Sequence, residues 1–312
     1  MFNPELFVSE SVEALRNEIN GRAVIACSGG VDSTVAAKLV EMAIHDKLMV
    51  VFVDTGFMRK NEAQNIERMF QRMGFNYRIV DAADDFIALL KGVTDPEQKR
   101  KLIGKKFIEI FERVAQEFDA EYLVQGTIAP DWIESGGGLR DTIKSHHNVG
   151  GLPEQMNLKL VEPLRHLYKD EVRKIARYLG IETAERQPFP GPGLAIRILG
   201  AIDKEKLEIV RAANAIVEEE VERFYTPEDR PWQYFAVLLP VKSVGVHGDK
   251  RAYGYTVAVR MVESLDGMTA AYYKAEHALL ERIANRITTE ANKVNRVVYD
   301  ITNKPPGTIE WE

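Results

Sequence analysis

The chain has 312 residues and a mass of 35.3 kDa; with 45% hydrophobic and 28% charged residues it is neither disordered nor fibrous, and it is long enough for about two domains. Lys and Arg number 41 against 47 Asp and Glu, a net charge of −6 without a block of like charge, which excludes nucleic acid as the main partner because phosphate-backbone binding needs a basic surface. One cysteine (Cys27), no apolar run near a membrane span of about 20 residues and no export signal in Met1–Glu5 point to a soluble, cytoplasmic protein with no disulfide, no Cys-rich zinc site and no membrane contact.

Residues 4–20 carry Leu6, Phe7, Val12, Leu15 and Ile19 on one helical stripe, ended by Gly21. Ala23-Val24-Ile25-Ala26-Cys27 is the nearly all-apolar run of a strand covered on both faces. A Gly-rich turn leads into a helix pattern over 32–45. Residues 48–53 form a second strand pattern, 60–73 a helix, 76–80 a third strand, 99–118 a long helix and 121–125 a fourth strand. Strands alternating with helices imply right-handed crossovers and a parallel sheet, hence an α/β domain. Residues 128–157 break this rhythm with Gly136-Gly137-Gly138 and Gly150-Gly151 and no apolar period; Trp132, Ile133 and Ile143 give the stretch something to dock, so it reads as a lid.

Residues 169–179 return to helix, with Asp170 and Glu171 where the helix dipole favours acid. Gln187-Pro188-Phe189-Pro190-Gly191-Pro192-Gly193 breaks regular structure and divides the chain into domains at 1–187 and 188–312. Beyond it a helix is expected at 203–225, strands at 235–239 and 256–261, a helix at 269–291 and a strand at 296–299, the order of a smaller α+β module.

Chemistry begins at Ser28-Gly29-Gly30-Val31-Asp32-Ser33-Thr34, between a buried strand and the first turn of a helix. Two glycines let the backbone bring its N–H groups to an anion, the helix dipole adds to the attraction, and Ser28, Ser33 and Thr34 supply hydroxyls. The pattern is neither GxxxxGK[ST], because the nearest Lys is Lys38, nor GxGxxG, because the glycines are adjacent. Asp32 suits a Mg2+ shell beside phosphates and equally suits the start of a helix as a simple capping acid. Cys27, within a strand end, reads as a small core hydrophobe rather than a nucleophile.

The run SGGVDS resembles the pyrophosphate loop of the ATP pyrophosphatase family, whose members adenylate a substrate and release pyrophosphate. Longer segments are similar to one branch of it, the GMP synthase family: VFVDTGFMRKNE (51–62), DPEQKRKLIG (95–104), Gln125-Gly126-Thr127, IKSHHN (143–148), PFPGPGLAIR (188–197) and KPPGTIEWE (304–312). The resemblance spans nearly the whole chain. It implies an adenine nucleotide alpha hydrolase-like ATP pyrophosphatase domain followed by a dimerisation domain. It further implies the synthetase subunit of a two-subunit form, with ammonia from a separate glutamine amidotransferase subunit, since no GxCxG-type elbow surrounds Cys27.

What the resemblance implies for the site is a cytoplasmic ligase that binds ATP through Ser28, Gly29, Gly30, Val31, Asp32, Ser33 and Thr34, with Val53 and Gly126 by the adenosine. Asp32 would be catalytic and would face Mg2+. XMP would be held by Arg100, Lys304, Ile309 and Glu310, and Lys144, His146 and His147 would belong to the lid. Read without the resemblance, Arg100 is an ordinary solvated charge and residues 304–312 a fraying tail, although Pro305-Pro306 stiffens it. His146 and His147 are adjacent and would point to opposite faces of an extended chain, which disfavours a shared metal. The competing readings are an NAD synthetase-like amidating ligase, a sulfur-inserting tRNA enzyme and a non-catalytic ATP sensor; homodimerisation is expected from the family alone.

Overall fold

The computed structural model describes residues 2–129, 158–182, 186–247, 250–265 and 267–312. The chain divides into two compact units, one of Met1–Thr55, Asn61–Ala82 and Ile103–Arg186, the other of Gly56–Lys60, Ala83–Leu102 and Gln187–Glu312. No helix among the described residues is long and apolar enough to cross a membrane.

The first unit opens with α1 (Pro4–Glu18), where Asn3 caps the helix by accepting from the Glu5 and Leu6 N–H groups at 3.0 and 3.2 Å and Pro4 occupies the first turn, in which its missing N–H is harmless. There follow β1 (Ala23–Ala26), α2 (Val31–Ile44), β2 (Leu48–Asp54), α3 (Glu62–Met73) and β3 (Tyr77–Asp81). After α4 (Ala83–Leu89) and the first residues of α5 (Pro96–Glu117), both in the second unit, come the rest of α5, β4 (Tyr122–Val124), β5 (Lys159–Val161) and α6 (Lys169–Tyr178). The strands form one parallel sheet in the order β3-β2-β1-β4-β5, with Ile25 in register between Val50 and Val124. β1 is apolar throughout because it lies at the centre: Ala23, Val24 and Ile25 are buried, as are Val35, Leu39 and Val40 of α2 and Phe52 of β2. The parallel α/β domain is as expected. The three-residue β5 and the short α4 were not anticipated.

This strand order reverses direction at β1, whose two neighbours are β2 and β4. In open parallel sheets such a reversal leaves a crevice at the C-terminal ends of the flanking strands. The segments that follow β1 and β4 are the ones carrying Ser28–Thr34 and Gly126.

The second unit is α+β, as expected. It contains a 3-10 turn at Gly193–Arg197, α7 (Lys204–Phe224), β6 (Gln233–His247), β7 (Lys250–Glu263), β8 (Ala271–Tyr272), α8 (His277–Glu290) and β9 (Val294–Tyr299). β7 pairs antiparallel with β6 and β8 and parallel with β9. Two expectations need correction. The helix expected over 269–291 begins only at His277, because backbone pairing captures what precedes it: Ala271 and Tyr272 pair with Glu263 and Val262, the Tyr272 N–H donates to Asn303 Oδ1 at 3.0 Å and the Tyr273 N–H to the Met261 carbonyl at 2.9 Å. The strand expected to stop at Leu239 runs on to His247, since the register shift between Leu239 and Lys242 lets Pro240 pass without a ladder hydrogen bond. α7 is fastened to α8 by the buried Glu220 carboxylate, which meets Arg286 at 2.9 Å and also Arg282.

Candidate functional site

The loop after β1 owes its shape to two side-chain-free positions. Gly29 has φ +78°, and a methyl group built there would lie 3.0 Å from both Cδ1 and Cγ1 of Ile66, so α3 fills the space a side chain would need. Gly30 is the N-cap of α2 in extended conformation and offers no capping side chain, which leaves the first N–H groups of the helix open to an external acceptor. The helix proper starts with the Thr34 N–H donating to the Gly30 carbonyl at 3.1 Å.

Gly126 joins this loop by close approach. A Cβ there would fall 2.9 Å from Ser33 N and 3.0 Å from Asp32 C, backbone atoms that cannot yield. The end of β4 and the start of α2 can therefore meet only because residue 126 is glycine. Val53, near the end of β2, is buried, with 2% of its surface exposed.

The hydroxyls behave less uniformly than the sequence suggests. Ser33 and Thr34 both donate to the Gly30 carbonyl, at 3.2 and 2.7 Å, and Thr34 is fully buried, with its Oγ1 3.6 Å from Cys27 Sγ. Thr34 thus shapes the loop from below, while Ser28 is exposed at its rim. Cys27 is buried, and burial pushes its thiol above the usual value, with the hydrogen bonds from Gly29, Thr34 and Ser33 opposing. That is the environment of an inert core thiol, not of a nucleophile.

Asp32 lies in the first turn of α2. Its Oδ2 accepts from Lys169 Nζ at 2.5 Å, while Oδ1 is buried without a hydrogen-bond partner among the described residues. An orphaned buried carboxylate oxygen is costly, about 1–3 kcal/mol, unless a ligand completes it. A hard cation fits: Mg2+ is held by one or two carboxylates together with substrate phosphates. Among the described residues no group of three or more His, Cys, Asp or Glu forms a cation cage of its own, so the remaining ligands have to come from elsewhere.

Two cations near the loop escaped the sequence reading. Lys169, the first residue of α6, reaches Asp32 from 137 positions away; Arg186 pairs with Glu62 beside Gly29. The only sequence signal for Lys169 is a cation placed where a helix start normally favours acid.

The residues expected to hold XMP all lie in the second unit, and they are organised around the C-terminal segment. Arg197, 1% exposed, grips the Glu310 carboxylate through Nε at 3.0 Å and Nη2 at 2.8 Å; its Nη1 donates to Asn214 Oδ1 at 3.1 Å, and its guanidinium stacks 4.0 Å from the Phe235 ring centre. Gln233 Nε2 donates to Glu310 Oε1 at 3.2 Å. Ile309 packs on the core of Phe235, Val237 and Ala258. Arg260, fully buried, donates to the Thr308 carbonyl at 3.1 Å and the Ile309 carbonyl at 3.4 Å. Lys99, also fully buried, meets the Ile198 carbonyl at 2.8 Å and the Glu312 carboxylate; burial pulls its ammonium below the usual value, against the pull of Glu312. Arg100 reaches the Glu312 carbonyl.

The tail is therefore docked, not frayed. Arg100, Ile309 and Glu310 are tied to this one segment, whereas Lys304 turns to the Gly267 carbonyl at 2.7 Å and bridges Ala270 through its backbone. Lys144, His146 and His147 lie outside the described residues.

Comparison with known proteins gives two family matches, NAD synthase over residues 5–120 and GMP synthase C terminal domain over residues 219–311. Relatives along the whole length include a subunit of glutamine-hydrolyzing GMP synthase from Thermoplasma acidophilum, 60% identical over 97% of this chain and 99% of the relative. The same subunit from Pyrococcus abyssi (60%; 99% and 100%) and from Methanocaldococcus jannaschii (57%; 100% and 100%) also matches along nearly the whole of both chains.

Proposed function

Because the chain belongs to the family of this glutamine-hydrolysing GMP synthase subunit, we propose that it catalyses ATP-dependent amination of XMP to GMP through an O-adenylyl intermediate. The observation that carries the reading is the Ser28–Thr34 loop at the reversal of the parallel sheet, with Gly126 against its backbone and a carboxylate oxygen of Asp32 lacking a partner. Such a loop grips the outer two phosphoryl groups and leaves the α-phosphorus open.

The XMP 2-carbonyl oxygen attacks the α-phosphorus and pyrophosphate departs. Ammonia then adds at the same carbon and loses a proton, and AMP leaves with the former carbonyl oxygen. Backbone N–H groups at the start of α2, Ser28 and Lys169 neutralise charge as pyrophosphate forms. Asp32 would hold Mg2+, which supplies Lewis-acid stabilisation of the phosphate charge. Val53 and Gly126 border the adenosine; Arg100, Lys304, Ile309 and Glu310 form the XMP region, with Arg and Lys suited to its 5′-phosphate. Residues 128–157, with Lys144, His146 and His147, act as the lid that shields the adenylate from water.

Residues 1–187, apart from the stretches 56–60 and 83–102 and Gln187 that belong to the second unit, then form the ATP pyrophosphatase domain, with 188–312 carrying dimerisation and, together with Arg100, XMP binding; the protein works in the cytoplasm as a homodimer joined by a glutamine amidotransferase subunit that supplies ammonia. An NAD synthetase-like activity is disfavoured because the likeness to the GMP synthase subunit runs the full length and the C-terminal match is to that enzyme's own domain. The test is product analysis with ATP, Mg2+, XMP and an ammonium salt at alkaline pH. GMP, AMP and pyrophosphate are expected, and glutamine alone is expected not to replace ammonium. Bound ATP without AMP formation would instead identify a sensor.

A further inference from the structure

We propose that Arg186 is a second cationic contact for the pyrophosphate end of the nucleotide, held ready by Glu62; this rests on the reading of Ser28–Thr34 as the triphosphate loop. Glu62 opens α3 and its side chain is 3% exposed, so its charge needs a partner. Arg186 supplies one: Nη2 lies 2.5 Å from Glu62 Oε2. That pairing leaves the other terminal nitrogen, Nη1, aimed at the loop, where a methyl group built on Gly29 would come within 3.8 Å of it.

A purely structural ion pair explains the Nη2 contact but not why the guanidinium, on a side chain that is 31% exposed, lies along the glycine that gives the loop its shape. An arginine fork carries five donors, enough to serve a carboxylate on one edge and a phosphate on another. The same logic holds for Lys169, whose ammonium is fixed by Asp32. Each cation is tethered by a carboxylate before the nucleotide arrives, which removes much of the ordering cost of a long side chain.

The experiment measures ATP and pyrophosphate affinity of the full chain by calorimetry, alongside the XMP KM and the melting temperature. Arg186→Gln is expected to weaken both ATP and pyrophosphate about tenfold or more, with the XMP KM unchanged. Because that variant strands the Glu62 charge and can fail to fold, the double variant Arg186→Gln/Glu62→Gln decides. It removes both charges and is expected to melt near wild type while still binding pyrophosphate about tenfold more weakly. Arg186→Lys, which keeps a charge but loses the fork, is expected to fall between wild type and Arg186→Gln. A folded double variant with pyrophosphate affinity within about twofold of wild type would make the pair structural and overturn the proposal. Gly29→Ala separates this from the loop reading: unchanged ATP and pyrophosphate affinity in that variant would remove the loop itself.

Discussion

Asp32→Ala is expected to lower XMP-dependent pyrophosphate release by about a thousandfold, the scale of losing a main charge-stabilising group, while leaving the protein as stable as before or slightly more so. The stability side follows from the geometry. The bond to Lys169 joins side chains that are 27% and 45% exposed, and such pairs contribute about 0–1 kcal/mol. Against that stands Oδ1, buried and unpartnered, at a cost of about 1–3 kcal/mol that the substitution relieves. That pair of results would mark Asp32 as a residue that costs the free protein stability and serves turnover, as a site poised for a cation and a triphosphate requires. Thermal melts and pyrophosphate release at saturating ammonium check both halves. Wild-type release would remove Asp32 from the mechanism, and a large fall in melting temperature would make it structural.

Arg197→Met is expected to destabilise the protein by about 3–5 kcal/mol, because it leaves Glu310 and Asn214 Oδ1 without their buried partner. It should also raise the XMP KM, since Glu310 and the neighbouring Ile309 lose their anchor, while ATP affinity stays put. Adding Glu310→Leu to the same chain should recover much of the stability, because an apolar pair can replace a buried ion pair at little cost, yet XMP affinity should not return. Chemical denaturation and steady-state kinetics measure the two effects. A loss below about 1 kcal/mol would show that the ion pair is not anchoring the tail.

These two residues also show how far the sequence could be read. Asp32 and its loop were legible because their cues are local: an apolar strand, two glycines, then the apolar face of a helix, all within about fifteen residues. Glu310 and Arg197 are 113 positions apart, and each alone looks like an ordinary surface charge. Lys99 sits in a Gln-Lys-Arg-Lys run that suggests a solvated face, yet it is fully buried because carbonyls of Ala195 and Ile198 and the Glu312 carboxylate converge on it. No composition or period announces such a convergence.

The two misplaced element boundaries have the same cause. Residues 269–276 carry apolar spacing compatible with a helix, but Asn303 and Met261 offer their backbones fixed partners instead. At Pro240 a local rule for ending strands was overridden by a bulge. Lys169 and Arg186 stayed hidden because a cation gains meaning only from the carboxylate and the loop that the fold brings beside it.

If the loop grips the outer two phosphoryl groups, the inner one is transferred to the XMP oxygen. XMP carrying 18O at its 2-carbonyl, incubated with ATP, Mg2+ and ammonium, tests this directly by mass spectrometry of the products. The label is expected to leave in the phosphate of AMP and to be absent from GMP and pyrophosphate. Label recovered in orthophosphate, with ADP as the nucleotide product, would contradict it.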